Sequence, residues 1–492
     1  MRKNCFIWIA PVLLWAQLLT WPAGASADSY VAQNGQAPSP PYDSWNNAAS
    51  NIQAAVDAAP AGGTIWVASG CYTSAASPVV NITKSLTMNA VATSGAVTID
   101  GKSLNRGIYI APAAAARVVI DGLTFSNCYQ LNSYGAGIYI NTGVAGTAVV
   151  QNCTLVTNRC MLTGAPSGGG IASRVTAGID FFSIVSNCTV VRNYAGTGGG
   201  GLYFEYGRFH LEDCLVAHNS VDVWNPFADP YVPAANSRSG GGISIIYPSA
   251  GSIIRNCQVE SNRASAWGGG IFIRYYGGVL VENCNIRDNI APLGAGVLIT
   301  QISSDQTNFL RNCLISRNMA ITNNITSYEA GNPMGGGVQL GANGLGLSSN
   351  VMVENCTIVS NYASANGGGA NLRSDSTKGT VFQNTIIYFN QTTTTPAGSN
   401  LSGTVTFSNC LIGTGAVLPG GGNIRSNPEF SDWPALDCRL SSISPCVNAG
   451  VNQPWMNGGV DLDNKVRIDR FLGIVDIGCY ESTPRGMLVR IR

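Results

Sequence analysis

The chain has 492 residues, with 27 Lys or Arg against 26 Asp or Glu and a formal net charge of +1. Charged residues are only 11% of the whole, against about 25% in an average soluble domain. No basic stripe of the kind phosphate contacts require is present, which excludes nucleic acid as a partner. Glycine reaches 59 residues, but regularly spaced aliphatic positions argue for a tightly wound β structure rather than disorder.

Residues 1–27 read as a secretory signal. Arg2 and Lys3 form a basic start, an apolar stretch runs from Phe6 to Leu19, and Ala25-Ser26-Ala27 suits cleavage. Pro11 and Gln17 interrupt the apolar stretch, which is shorter than the ~20 residues of a membrane span. Loss of Arg2 and Lys3 leaves 25 basic residues against 26 acidic. The expected protein is exported, extracellular, on the cell surface or periplasmic, with no later membrane span. Ile52, Ala55, Val56 and Ala59 then mark an amphipathic helix ended by Pro60, expected to lid the N-terminal end of the β structure. Gly62 to Val67 is expected to be the first strand.

From Asn152 to Asn390 one motif recurs eight times. It opens at Asn152, Asn187, Asp213, Asn256, Asn283, Asn312, Asn355 and Asn384, and closes six residues later at Asn158, Asn193, Asn219, Asn262, Asn289, Asn318, Asn361 and Asn390. The second position is Cys153, Cys188, Cys214, Cys257, Cys284, Cys313 and Cys356, then Thr385. A fixed motif with variable gaps is the mark of a solenoid. Within Gly268 to Asn289, Ile271, Ile273, Val279 and Val281 alternate with outward residues, and the alternation fails at Asn283. Asn tolerates the left-handed backbone region, so bends are placed at Asn283 and Asn289. Three short strands and three bends per coil give an all-β, right-handed parallel β-helix over residues 28–426. The cysteine row becomes inward core filler. The Asn rows become hydrogen-bonded ladders. The glycine runs permit close approach of coils. Better disulfide candidates lie off the row: Cys128 with Cys160, and Cys446 with Cys479.

One outward row reads Glu212, Arg255, Glu282, Arg311, Glu354, alternating in sign from coil to coil. It fixes register rather than catalysing anything. Candidate chemistry lies on the strand after each glycine run. Tyr139, Tyr203 and Phe272 form one expected outward row, and Arg174, Glu205, Arg274 and Arg373 the next. Tyr206, Tyr247 and Tyr275 follow one step on. Rings stack on sugar faces and Arg pairs with carboxylates, so this face suits a polysaccharide or cell-surface glycan. Two insertions, with Trp224 and Tyr231 in the first, would extend it. Glu205 is the one weak catalytic candidate, and it lacks the carboxylate partner a glycosidase needs. A polysaccharide lyase or glycoside hydrolase for uronate-containing glycans is the alternative to a binding scaffold. His218 falls at an outward repeat position and reads as solvated. No cofactor is called for; Asp461, Asp463 and Asp469 form the one candidate calcium loop. The expected state is a monomer.

Residues 427–481 leave the repeat pattern and form a separate C-terminal cap, followed by a tail at 482–492. Tyr30-Val31-Ala32-Gln33-Asn34-Gly35, Asn51 to Ala59 and Gly70-Cys71-Tyr72 resemble the opening of exported bacterial β-helix proteins, many of them pectate-lyase-like only in fold. The repeats are similar to those of chlamydial polymorphic outer-membrane proteins. Asn427-Pro428-Glu429-Phe430, Ser444 to Gly450, Asp461-Leu462-Asp463 and Val475 to Glu481 resemble the choice-of-anchor Q domain. That resemblance implies a surface-displayed protein, although the tail after Glu481 is expected to be too short for an anchor or a membrane barrel.

Overall fold

In the computed structural model, the described residues are 28–482, apart from 35, 92–94, 162–166, 222–237, 301–305, 322–332, 342–349, 373–378, 394–399, 404, 414–418 and 469–472. The expected signal (1–27) and most of the tail lie outside them. Almost every strand pairs in parallel with its equivalent one coil away. Four sheets run along the coil axis, with thirteen, twelve, eleven and nine described strands, the last beginning at Tyr129. The coil beginning at Gly268 shows how they arise. Ile271–Arg274 belongs to the post-glycine sheet, Val279–Glu282 to the long sheet, Asn285–Arg287 to a third sheet, and Ile290–Ala291 to a short one.

The three expected strands are therefore present, and a fourth segment of two or three residues follows each closing Asn. Its existence corrects the bend assignment too. The opening residues take positive φ, as at Asn283 (φ 53°) and Asp213 (φ 55°). At the other corner the left-handed residue is the one before the closing Asn: Thr157, Arg192, His218, Ser261, Asp288, Arg317, Ser360 and Phe389. The closing Asn itself points inward and is buried. Asn289 Nδ2 donates to Asn318 Oδ1 at 3.0 Å and to the Val259 carbonyl at 2.8 Å. Asn289 Oδ1 in turn accepts from both Nδ2 and the backbone N–H of Asn262, each at 3.0 Å. All donor and acceptor capacity of the amide is thus used. The row runs from Asn158 to Asn390 and ends on Asn400.

The cysteine row is inward and buried, with free thiols from Cys153 to Cys356. Each backbone N–H near the start of the row points at the next sulfur, as Cys153 does at Cys188 Sγ, 3.4 Å away. Burial pushes the Cys284 and Cys313 thiols well above their ordinary value. The four disulfide candidates are also free. Cys128 takes the slot of a closing Asn, its N–H donating to Asn158 Oδ1 at 3.0 Å, whereas Cys160 pairs two residues further on, opposite Ala195. Cys446 and Cys479 also sit on different partners. The Cys479 N–H donates to Thr357 Oγ1 at 3.1 Å, and Cys446 accepts at its carbonyl from the Ile477 N–H.

The glycine runs sit where coils nearly touch. A Cβ on Gly269 would lie 2.6 Å from the Ala295 carbonyl and 2.7 Å from that of Ile290. Gly268, at φ +59°, adds a left-handed turn.

At the N-terminal end, the helix Ile52–Ala58 is capped by Asn51, whose side chain accepts from the Ala54 N–H at 2.9 Å, and buries Ile52, Ala55 and Val56. The first strand is Asp28–Val31, not Thr64–Ala68, which pairs beside it. At the other end, Asn423 accepts from the Cys410 N–H, and Ile424 bridges Leu411 and Ile412. The described residues of 427–481 contact the solenoid along its side. They turn back along the flank, where cap carbonyls accept from the opening-Asn row. Val460 takes Asn312 (3.0 Å), Asp476 takes Asn355 (3.1 Å), Val451 takes Asn384 (2.9 Å) and Ala449 takes Asn409 (3.0 Å). The cap is a strap rather than a lid.

Candidate functional site

The strand after each glycine run brings the predicted residues together, but not as an open face. Tyr139, Ala172, Tyr203, Ser244, Phe272 and Leu298 are in one cross-coil row. Tyr139, Tyr203 and Phe272 are buried rather than outward-exposed. Residues just before the glycine runs at Gly135, Gly268 and Gly294 fold over this row. Tyr134 stacks on Tyr139 (5.8 Å) and lies against Tyr203 (5.7 Å), while Trp267 and Leu293 cover Phe272 and Leu298. A second apolar layer thus lies outside the sheet, and burial pushes the Tyr139 phenol up to about 12.

The next row remains accessible. Arg174 donates from Nε to Glu205 at 2.8 Å, with its guanidinium 5.0 Å from the Tyr134 ring. Glu205 is thereby engaged, its side chain 14% exposed against 46% for Arg174. Arg274 lies over Trp267 (5.2 Å) and Tyr275 (4.5 Å). At the corner beyond, Tyr206, Tyr247 and Tyr275 all take positive φ. Their rings form a column, with centroids 4.8 and 4.3 Å apart and planes within 7°. Stacked faces cover one another, so the column offers ring edges and hydroxyls at about the spacing between strands. Tyr276, 43% exposed, stands edge-on to Tyr247 at 5.2 Å. Sequence periodicity missed it, because it falls after the bend and out of the row; the Tyr275-Tyr276 doublet is its only signal. Tyr206, Tyr247, Tyr276, Gly207, Pro248 and Gln306 line a cleft of about 340 Å³ at this corner. Trp224, Tyr231 and Arg373 lie outside the described residues.

The other candidates have structural partners. His218 is an exposed bend residue. His210 lies edge-on to Phe182 at 4.6 Å, and burial lowers its pKa. Asp461 is buried. One oxygen accepts from the N–H groups of Asp463 and Lys465, the other from that of Glu481. Asp463 is clamped by Arg439, whose Nε and one terminal nitrogen approach it to 2.6 Å. The two carboxylates of the calcium candidate thus serve different partners, and Asp469 lies outside the described residues. Among the described residues no three His, Cys, Asp or Glu side chains converge on a metal position.

Residues 232–413 match the family model for the right-handed beta helix region. The chain is a right-handed parallel β-helix. Solved structures similar to it include pectate lyase Pel9A, at 15% identity and TM-score 0.41, with 93% of this chain and 96% of that one covered. A rhamnogalacturonan lyase is 12% identical at TM-score 0.41, covering 85% and 96%. A complex of XylC with xylose is 9% identical at TM-score 0.46, covering 82% and 87%. No curated protein sequence matches the chain. No described helix is long and apolar enough to cross a membrane.

Proposed function

We propose that this chain is an exported, monomeric β-helix scaffold that binds an acidic polysaccharide, at the cell surface or outside the cell, without cleaving it. The observation that carries the reading is the tyrosine column Tyr206–Tyr247–Tyr275, with Tyr276 beside it and Arg174 and Arg274 on the adjoining row. Hydroxyls and ring edges repeat along the coil axis, as sugar units repeat along a chain. Tyr276 supplies an exposed ring, and the arginines suit uronate carboxylates. Glu205, the acid in the arginine row, is held by Arg174, which favours binding over general-acid chemistry. Export rests on the expected signal at 1–27, and surface display on the choice-of-anchor Q resemblance of 427–481.

The test is titration of the mature chain with oligouronates and matched neutral oligosaccharides, alongside an assay for unsaturated or reducing ends. Saturable uronate binding without product release is expected. Product release abolished in Glu205→Gln would overturn the scaffold reading.

A further inference from the structure

A second cleft, of about 440 Å³, lies at the seam between solenoid and strap. That volume falls within the size range of small-ligand sites, about 300–1,000 Å³. Its solenoid wall is the opening-Asn row over three coils, Asp213, Asn256 and Asn283, with Asn285 beside it; its other wall includes Asn464 and Tyr480. The row is ordered before any ligand arrives. Asn256 Nδ2 donates to Asp213 Oδ1 at 3.0 Å, Asn283 Nδ2 to Asn256 Oδ1 at 3.3 Å, and Asn312 Nδ2 to Asn283 Oδ1 at 2.6 Å. From Asn312 onward the strap's own carbonyls occupy the row. The cleft opens where the strap leaves it.

Two features separate this cleft from ordinary surface. Asn285 Oδ1 is buried in its wall without a hydrogen-bond partner, an arrangement that costs stability unless something donates to it. The lining also holds amides, a phenol and the carboxylates of Asp213 and Asp461, with no Lys or Arg among the lining residues. Carboxylates and amides accept from and donate to sugar hydroxyls, whereas a uronate or phosphate would face the like charge of Asp213; the Asp461 oxygens are already held by backbone N–H groups. We propose that the seam cleft is a separate binding site for a neutral sugar unit, with Asp213 accepting from its hydroxyls, Asn285 turning its buried amide into the cleft to do the same, and the amides of Asn464 and Asn256 donating to it. The proposal does not rest on the tyrosine corner, whose arginines select the opposite charge.

The experiment is calorimetric titration of the full mature chain with neutral gluco-, galacto- and manno-oligosaccharides and with oligogalacturonate. Two variants keep the fold. Asp213→Asn restores the residue found at the other seven openings. Asn285→Leu copies Leu314, its neighbour in the same row one coil on. Saturable binding of at least one neutral series is expected. Each variant should weaken it at least tenfold with the melting temperature held, and Tyr276→Ala should leave it unchanged. No saturable neutral binding, binding indifferent to both variants, or tighter binding of oligogalacturonate at this cleft would each overturn the proposal. Failure of the tyrosine corner would appear separately, as lost uronate binding with the seam intact.

Discussion

Arg311 Nε lies 2.6 Å from Glu354 Oε2, one coil apart, with only 5% of the Glu354 side chain exposed. Arg255 and Glu282 make the same pair at 3.0 Å two coils earlier, with Arg255 36% exposed. Both belong to one outward row of alternating charge, Glu212–Arg255–Glu282–Arg311–Glu354. The difference is the strap. Trp455 sits 4.9 Å from the Arg311 guanidinium.

Removal of the two arginines should therefore have unequal effects. Arg255→Ala breaks a solvated pair and should lower stability by about 1 kcal/mol or less, with the effect fading in salt. Arg311→Ala leaves Glu354 buried without its partner and should cost about 3–5 kcal/mol. Denaturant melts at low and high salt compare the two; equal losses would mean that the strap does not cover this row.

The inward Asn ladder is the next test. Asn289→Leu strands the backbone and side-chain donors of Asn262, removes the amide donor to the Val259 carbonyl, and leaves Asn318 Oδ1 with only the backbone N–H of residue 289. At roughly 1–3 kcal/mol for each buried unsatisfied group, the loss should exceed about 3 kcal/mol. Cys356→Thr should be far milder. Thr385 already fills that slot one coil on, with Oγ1 3.3 Å from the Cys356 N–H and 3.0 Å from the Gln383 carbonyl. Chemical denaturation of the two variants checks the contrast.

The sequence showed this ladder but not its geometry. Asn at both ends of a six-residue motif is visible, and so is the aliphatic alternation between glycine runs. The left-handed position before each closing Asn is not, because Thr157, Arg192, His218 and Phe389 share no side-chain chemistry. A two-residue strand such as Ile290–Ala291 is also too short to show a period. Alternation placed Tyr139, Tyr203 and Phe272 on the outer side of a strand correctly. It could not show that Tyr134, Trp267 and Leu293 fold over them, since that contact depends on the path of the chain before the glycines. The strap's course along the flank depends on contacts between residues more than 100 positions apart, such as Asn355 with Asp476.

Thiol reactivity should follow burial. Cys71 is the one exposed thiol among the described residues. An aromatic disulfide reagent should label it in the native protein, leaving the Cys153 to Cys356 row unreacted until denaturation, because the reagent cannot reach sulfurs buried in the solenoid core. Rapid labelling of Cys284 in the folded protein would contradict an inward row.

The strap should loosen as pH rises. Glu481 is buried beside Arg467 Nη1 at 2.8 Å, with the buried Asp476 and Asp461 close by. Burial outweighs the pull of Arg467 and raises its pKa to about 8. Below the ordinary carboxyl range folded and unfolded chains both hold the proton. Between there and about pH 8 only the folded strap holds it, so stability is lost as pH rises through that window, by up to about 1.4 kcal/mol per pH unit. Hydrogen exchange of residues 446–481 should speed up across that range beyond its intrinsic pH dependence. Glu481→Gln should flatten the excess.

The tyrosine corner can be located directly by hydrogen-exchange footprinting of the mature chain with and without a saturating oligouronate. New protection is expected at residues 205–207, 246–250 and 274–277, abolished by a combined Tyr276→Ala and Arg274→Ala change that leaves the melting temperature in place. Protection confined to any other face of the solenoid, with these three segments unchanged, would contradict it.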